Sequence, residues 1–283
     1  MPVFLLLRLA WRNLLRHRRR NGLLLLAVMV GIAATVLSNA LVRGYQLDLR
    51  DDAVANLNGH LKVLPSGWLD DPRPDLQIEL PATALAEAPV PGAARWTTRI
   101  RVPAVVLSER ETRGVELVGI DPSAESGLSF AGDLELSGTG LADAGDGRLL
   151  LGRALADALE TQVGRRVVIV TQDTTGASVE LGFRVAGVFD EPGPGRELAH
   201  AFTGRDRLAD QLGMTGVSEL SVRLDDASAE PLAQARAALG AAWPKHDTRD
   251  WRALDPLAAG MFDVIDAVLY VWLVIVLVAR FQI

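Results

Sequence analysis

The sequence predicts an α+β domain held between two membrane helices, the second of them incomplete. Three observations carry this. An uncharged stretch follows a run of arginines near the N-terminus, a second apolar stretch closes the chain, and the segment between them mixes helical and strand patterns. With 283 residues, 49% of them hydrophobic and 23% charged, the composition is that of a folded chain with modest membrane content.

Residues 1–20 read as a cytoplasmic, interfacial amphipathic helix. Arg8, Arg12, Arg16 and Arg20 recur every four residues with leucines among them, and Arg18 and Arg19 add to the same basic end. These six arginines are the candidate membrane-interface residues, placed to meet anionic headgroups.

Residues 21–42 form the first transmembrane helix. No charge falls between Arg20 and Arg43, and a helix of that length is about 33 Å long, against a hydrocarbon core of roughly 30 Å. A cleaved signal peptide is the competing reading, because Ser38-Asn39-Ala40 is a small-x-small triplet. Ala27, Gly31, Thr35 and Asn39 are spaced four apart, so they share one side of this helix and are the candidate packing face for another membrane helix. Chance alignment in an Ala-rich helix is the plain alternative.

Orientation follows from charge. The first twenty residues hold six arginines and no acid, so the net charge of −6 leaves −12 for the remainder. Positive residues stay on the cytoplasmic side, which puts residues 43–262 outside. A basic run fused to a spanning helix argues against nucleic-acid binding.

Within 43–262, strands are expected at 60–64, 104–108, 114–119, 167–170, 179–189 and 218–224, the last alternating as Leu220, Val222, Leu224. Helices are expected from Arg153 to Gly164, which would end the first, and over 229–239. Pro and Gly clusters at 64–74, 88–92, 138–147 and 191–195 mark loops, consistent with two lobes. No cysteine is present, so no disulfide holds the domain.

Asp255-Pro256 starts a helix that runs back to the membrane. The uncharged run from Ala267 to Ala279 covers only about 20 Å of helix, so residues 263–283 read as a cut-short second membrane helix that leaves Arg280 inside the hydrocarbon.

Catalytic signatures are missing. There is no G-x-x-x-x-G-K loop and no G-x-S-x-G elbow, and the glycines of EPGPGREL fit a loop better than a dinucleotide fingerprint. His17, His60, His200 and His246 show no metal-ligand spacing and read as surface or loop residues. The pairs Asp51-Asp52, Asp70-Asp71 and Asp225-Asp226 read as solvated surface. The expectation is a non-enzyme without catalytic, cofactor or metal residues.

Several stretches, taken in order, resemble the FtsX-like permease family of ABC transporters, the group containing LolC, LolE and MacB. They are LAWRNLLRHRRRNGLLLLAVMVGIA, NGHLKVLPSGWLDDP, TRGVELVGIDPSAE, LLLGRALADALETQVGRRVVIVTQDTTG, FRVAGVFD, SELSVRLDD and WRALDPLAAGMFDVIDAVLYVWLVIVLVARFQI. Gly164-Arg165 departs from the Gly-Asp common at that turn. The resemblance implies a MacB-like periplasmic core between the first two of four spanning helices of a bacterial inner-membrane permease. It also implies a separate cytoplasmic ATPase, a second permease copy or homologue, and a lipoprotein or other amphiphile moved outside the bilayer. Because the third and fourth helices and the ATPase-contacting loop would lie past Ile283, a membrane-anchored adaptor or sensor without transport stands as the alternative.

Overall fold

The computed structural model of the chain describes residues 18–80, 88–191 and 195–281. Asp52–Pro256 form one compact unit, and the described residues on either side form a second.

The second unit is helical. Helix α1, Arg18–Ala53, is among the described residues the one long and apolar enough to cross a membrane. It continues past Val42, where the sequence places the end of the span. The helix expected at Asp255-Pro256 is present as α7, Pro256–Phe281. Gln46 Nε2 donates to Asp266 Oδ1 at 2.8 Å, and Leu41, Val42, Tyr45, Val264, Ile265, Val268 and Leu269 line an apolar cavity of about 360 Å³ between the two helices.

The compact unit is built on ten strands in the order β10-β1-β9-β2-β3-β8-β5-β7-β4, with β6 pairing both β2 and β7. The strands are β1 Leu61–Pro65, β2 Ala93–Leu107, β3 Thr112–Ile120, β4 Glu135–Gly138, β5 Leu149–Gly152, β6 Arg166–Gln172, β7 Ser178–Asp190, β8 His200–Gly204, β9 Glu219–Leu224 and β10 His246–Asp250. Because β6 closes on β2, the strands β2-β3-β8-β5-β7-β6 form a ring of hydrogen-bonded neighbours. Such closure removes exposed edges. Alternation sends Ile100, Val102, Ala104 and Val106 of β2, Leu117 of β3, Leu149 and Leu151 of β5, Ile169 of β6 and Phe183 of β7 into one buried cluster. Short helices α3, Arg153–Ala158, and α5, Arg205–Leu212, add Leu155, Leu208 and Leu212 to it.

The other strands make a four-stranded sheet, β10-β1-β9-β2, with its own core of Leu61, Val63, Leu220, Val222 and Leu224 against Ala235 and Leu239 of α6, Ala229–Ala242. The two lobes expected from the sequence are therefore real, but they share one strand. The first half of β2 pairs β9 up to Arg99↔Glu219, and the next residue opens the pairing with β3 as Ile100↔Gly119.

Several sequence expectations need correction. β2 begins at Ala93, not 104. The helix at Arg153 ends at Ala158, because Glu160 turns to φ +49°. Gly164 instead occupies a positive-φ turn whose N–H donates to Val185 O at 2.8 Å. His60 is buried, not on the surface, and its Nδ1 accepts from the Leu224 N–H at 3.0 Å. Strands β4, β5, β8 and β10 and helix α5 had no counterpart in the sequence reading.

One backbone position is fixed by sterics. Gly59 has φ +67°, ψ −176°, a region essentially reserved for glycine, and an added Cβ would lie 2.8 Å from the Val222 carbonyl oxygen. Gly59→Ala is expected to cost at least ~1–3 kcal/mol from backbone strain alone. Gly114→Ala, whose Cβ would meet nothing within 4 Å, is expected to stay within about 0.5 kcal/mol. Urea unfolding of the two variants checks the contrast.

Candidate functional site

The most unusual chemistry in the domain sits where α1 ends. Past Ala53 the chain makes a π-turn, Val54–Asn58, in which Leu57 adopts φ +61°, uncommon for a residue with a branched side chain. Leu57 is held there by burial: it packs with Val118, Ile120, Phe130, Phe189 and Phe202 on the outer face of the ring. The Asn58 amide donates to Ala53 O at 3.0 Å and Gly59 N–H to Val54 O at 2.9 Å, closing the turn.

Two arginines bind this turn to the domain. Arg99 is fully buried. Its Nη1 donates to Leu57 O at 2.6 Å, to Glu219 Oε1 at 2.7 Å and to Ser221 Oγ at 3.0 Å. Its Nε and Nη2 form a bidentate pair with Glu125 at 2.7 and 2.8 Å. Glu125 comes from α2, Pro122–Glu125, whose N-cap Asp121 accepts from Ser123 N–H. Glu219 Oε2 accepts from Lys62 Nζ at 2.8 Å and from Arg101 Nη1 at 3.1 Å, and Arg101 Nη2 reaches Glu116 Oε2 at 2.7 Å. Three cations and three carboxylates thus balance across β1, β2, β3, β9 and α2. All three nitrogens of the Arg99 guanidinium donate, and their bonds converge on one backbone carbonyl, one hydroxyl and two acids.

The second arginine, Arg196, opens the four-residue helix α4, Arg196–Ala199, and is also buried. Nη2 donates to Asp52 Oδ1 at 2.7 Å and to Asp52 O at 3.2 Å, Nε to Asn56 Oδ1 at 3.2 Å, and Nη1 to Glu191 Oε1 at 2.9 Å. Its guanidinium lies 5.1 Å from the centre of the Phe130 ring, within cation–π range. Asp52, one of the acidic pairs read as surface, is exposed yet engaged in this contact.

The electrostatics follow from burial against pairing. Burial disfavours the charge on Glu219, but Lys62, Arg101 and Arg99 outweigh it and hold its carboxyl well below the usual range. Burial likewise works against the charge on Glu116, which Arg101 and His200 overcome, leaving a pKa of about 2. For Lys62 burial wins over Glu219 and lowers its pKa to about 8. Each charge of the cluster is paired with an opposite one, and among the described residues no group of three or more His, Asp and Glu could hold a metal.

The sequence-predicted residues lie elsewhere. Arg8, Arg12 and Arg16 are outside the described residues, while Arg18, Arg19 and Arg20 are exposed on the first turn of α1. Ala27 and Gly31 are exposed on that helix, with Thr35 and Asn39 partly covered. The Thr35 hydroxyl donates to Gly31 O at 2.8 Å and the Asn39 amide to Thr35 O at 3.1 Å, so both are bonded along their own helix. Sequence reasoning missed Arg99, Arg101, Glu125, Glu219 and Arg196. The alternation of charge and β-branched residues in Arg99-Ile100-Arg101-Val102 was the available signal.

Comparison with known proteins gives a consistent picture. The family of the MacB-like periplasmic core domain matches residues 22–240. The lipoprotein-releasing system transmembrane protein LolC of Neisseria meningitidis serogroup B is 27% identical over 175 residues, which is 58% of this chain but only 40% of that relative's length. Similar solved structures include the periplasmic region of MacB from Actinobacillus actinomycetemcomitans, at 12% identity and TM-score 0.49, covering 69% of this chain and 90% of the other. The extracellular domain of the noncanonic ABC-type transporter YknZ from Gram-positive bacteria is 16% identical with TM-score 0.45, covering 67% and 98%.

Two outcomes test the electrostatic reading. Arg99→Met, which strands Glu125 in the core, is expected to cost ~3–5 kcal/mol, and Lys62→Met less, because Glu219 keeps Arg99 and Arg101. In pH, Glu219 and Glu116 have folded pKa values below the ordinary 4.5. Their stabilisation is therefore complete above that value and is lost as pH falls through the folded values. Lys62 works in the same direction in a higher window: with a folded pKa of about 8 against 10.5, it makes stability rise with pH between those values, a rise Lys62→Met should abolish. Urea unfolding across pH measures both limbs.

Proposed function

The chain belongs to the MacB-like periplasmic core domain family, and from that premise we propose that it is the permease part of an ABC-type transporter in a bacterial inner membrane. In this reading a separate cytoplasmic ATPase drives motion of the membrane helices, and the outer domain turns that motion into movement of a lipoprotein or another amphiphile. The chain is then a transport component and no enzyme itself. The carrying observation is that the family match spans residues 22–240, from inside α1 to α6. Helix and domain are matched as one unit.

The geometry supports a mechanical role for the turn after α1. Arg99 grips the Leu57 carbonyl and Arg196 grips Asp52 and Asn56, so displacement of the helix end reaches the branch strand β2 and the ring through charged hydrogen bonds. Residues 1–20 lie on the cytoplasmic surface with their arginines on the lipid headgroups, 21–42 span, the domain faces outward, and the apolar residues after 263 return to the membrane. The row Ala27, Gly31, Thr35 and Asn39 packs on a helix of the same permease or of its partner copy.

The test is transport by the full-length permease with its ATPase in nanodiscs. Arg196→Ala is expected to leave ATP hydrolysis within about twofold and to lower amphiphile transfer about tenfold or more, on the order of 1.4 kcal/mol of coupling per tenfold. Unchanged transfer would remove Arg196 from the path. For the membrane layout, a phosphatase fused at Leu136 should be active and a fluorescent protein there dark; the reverse pattern would overturn the orientation. Gly31→Leu is expected to impair assembly more than Leu26→Ala, and equal effects would dismiss the packing row.

A further inference from the structure

A site apart from the α1 turn lies at the free end of the sheet. β10 pairs on one side with β1, and no described strand follows it on the other. The Trp251 N–H donates to His60 O at 3.2 Å, just beyond the β10–β1 register that matches Asp250 with Leu61. In an antiparallel ladder bonded pairs alternate, so Arg249 and Asp247 turn their backbone groups toward β1 while Thr248 and Asp250 turn theirs outward. The outward rung is open.

The side chains of His246, Thr248 and Asp250 share one face of the strand, and with α6 they line a trough of about 570 Å³. The helix wall is Ala229, Ala233, Ala237 and Gly240, none reaching past Cβ, with Leu232 beside them. Arg236 closes one part of it by pairing with Asp250 at 3.3 Å. Two polar atoms on residues lining this trough, His246 Nδ1 and Thr248 Oγ1, are buried without a hydrogen-bond partner among the described residues, and each side chain turns toward the trough to meet a ligand there. Buried polar groups are nearly always paired, so two orphans on one face of an unpaired strand point to a ligand that supplies hydrogen bonds. Its shape is set by the outward N–H and C=O groups, which only another extended backbone satisfies in register, and by the shallow alanine wall, which admits small side chains.

We propose that this trough binds an extended peptide segment, which adds to β10 as the next strand of the sheet. Every second side chain of that segment, small and bearing a hydroxyl or amide, points inward to His246 and Thr248, while its backbone continues the β1–β10 ladder. Strand addition of this kind draws affinity from main-chain bonds and selectivity from alternate side chains. The inference stands independently of transport.

The test pans a phage library of random linear heptapeptides against the full chain in lipid nanodiscs. The control is the chain carrying Ala237→Trp, an exposed position where the indole fills the trough. Peptides enriched on the native chain should bind at least tenfold more weakly to Ala237→Trp, and also to Thr248→Pro, which deletes one outward N–H at an edge that tolerates proline. Bound peptide should slow hydrogen exchange of the Thr248 and Asp250 amides and leave those of Asp247 and Arg249 unchanged. Failure of any peptide to enrich over the control, or binding that leaves the Thr248 and Asp250 amides unprotected, overturns the proposal and leaves the trough to water.

Discussion

A strand that serves two sheets is the constraint on which the rest of the domain depends. β2 leaves β9 at Arg99 and joins β3 at Ile100, and at that branch the buried Leu57 carbonyl of the turn after α1 needs a donor. A charged side chain solves the problem because a guanidinium reaches several acceptors at once. Arg99 satisfies the Leu57 carbonyl on one side and two carboxylates on the other. The buried carboxylates Glu125 and Glu219 are the partners this one residue requires, since an unpaired charge there would be costly, and Lys62 pairs in turn with Glu219. Ion pairs of this depth contribute little net stability, but their directional hydrogen bonds define one arrangement of the junction.

The two sides of the branch have different mechanical character. The ring of six strands has no free edge and holds the larger apolar cluster, whereas the four-stranded sheet ends at an open β10. Arg196 works on the ring side, tying Asp52 and Asn56 to the aromatic group of Phe130, Phe189 and Phe202. Lys62 works on the sheet side through Glu219. The turn after α1 is thereby fastened to both parts.

What the sequence discloses divides along the range of the interactions. The helix starting at Pro256 and the strands with clean alternation, β6, β7 and β9, are local patterns and were legible. The first half of β2 was not, because Arg99 and Arg101 occupy the positions that alternation reserves for an exposed face, and their burial depends on Glu125 and Glu219, 26 and 120 residues away from Arg99. Ring closure by β6 on β2 is equally non-local. Leu155 and Leu159 suggested a longer helix than exists, since both are buried in the ring core rather than along one helical face. The ordered family resemblance pointed to the right family and fold class, while the residues that hold the domain together follow from pairing that only the folded chain displays.

If the turn after α1 is a rigid part of the domain, its amides open only when the domain does. Native-state hydrogen exchange of Gly59 and His60, whose N–H groups donate to Val54 O and Val222 O, measures this against the amides of β9. The account expects equal opening free energies at both places, with Arg99→Met lowering them together. Exchange at Gly59 and His60 orders of magnitude faster than in β9, with the strand still protected, would show a turn that frays on its own and would contradict the claim that it is a rigid part of the domain.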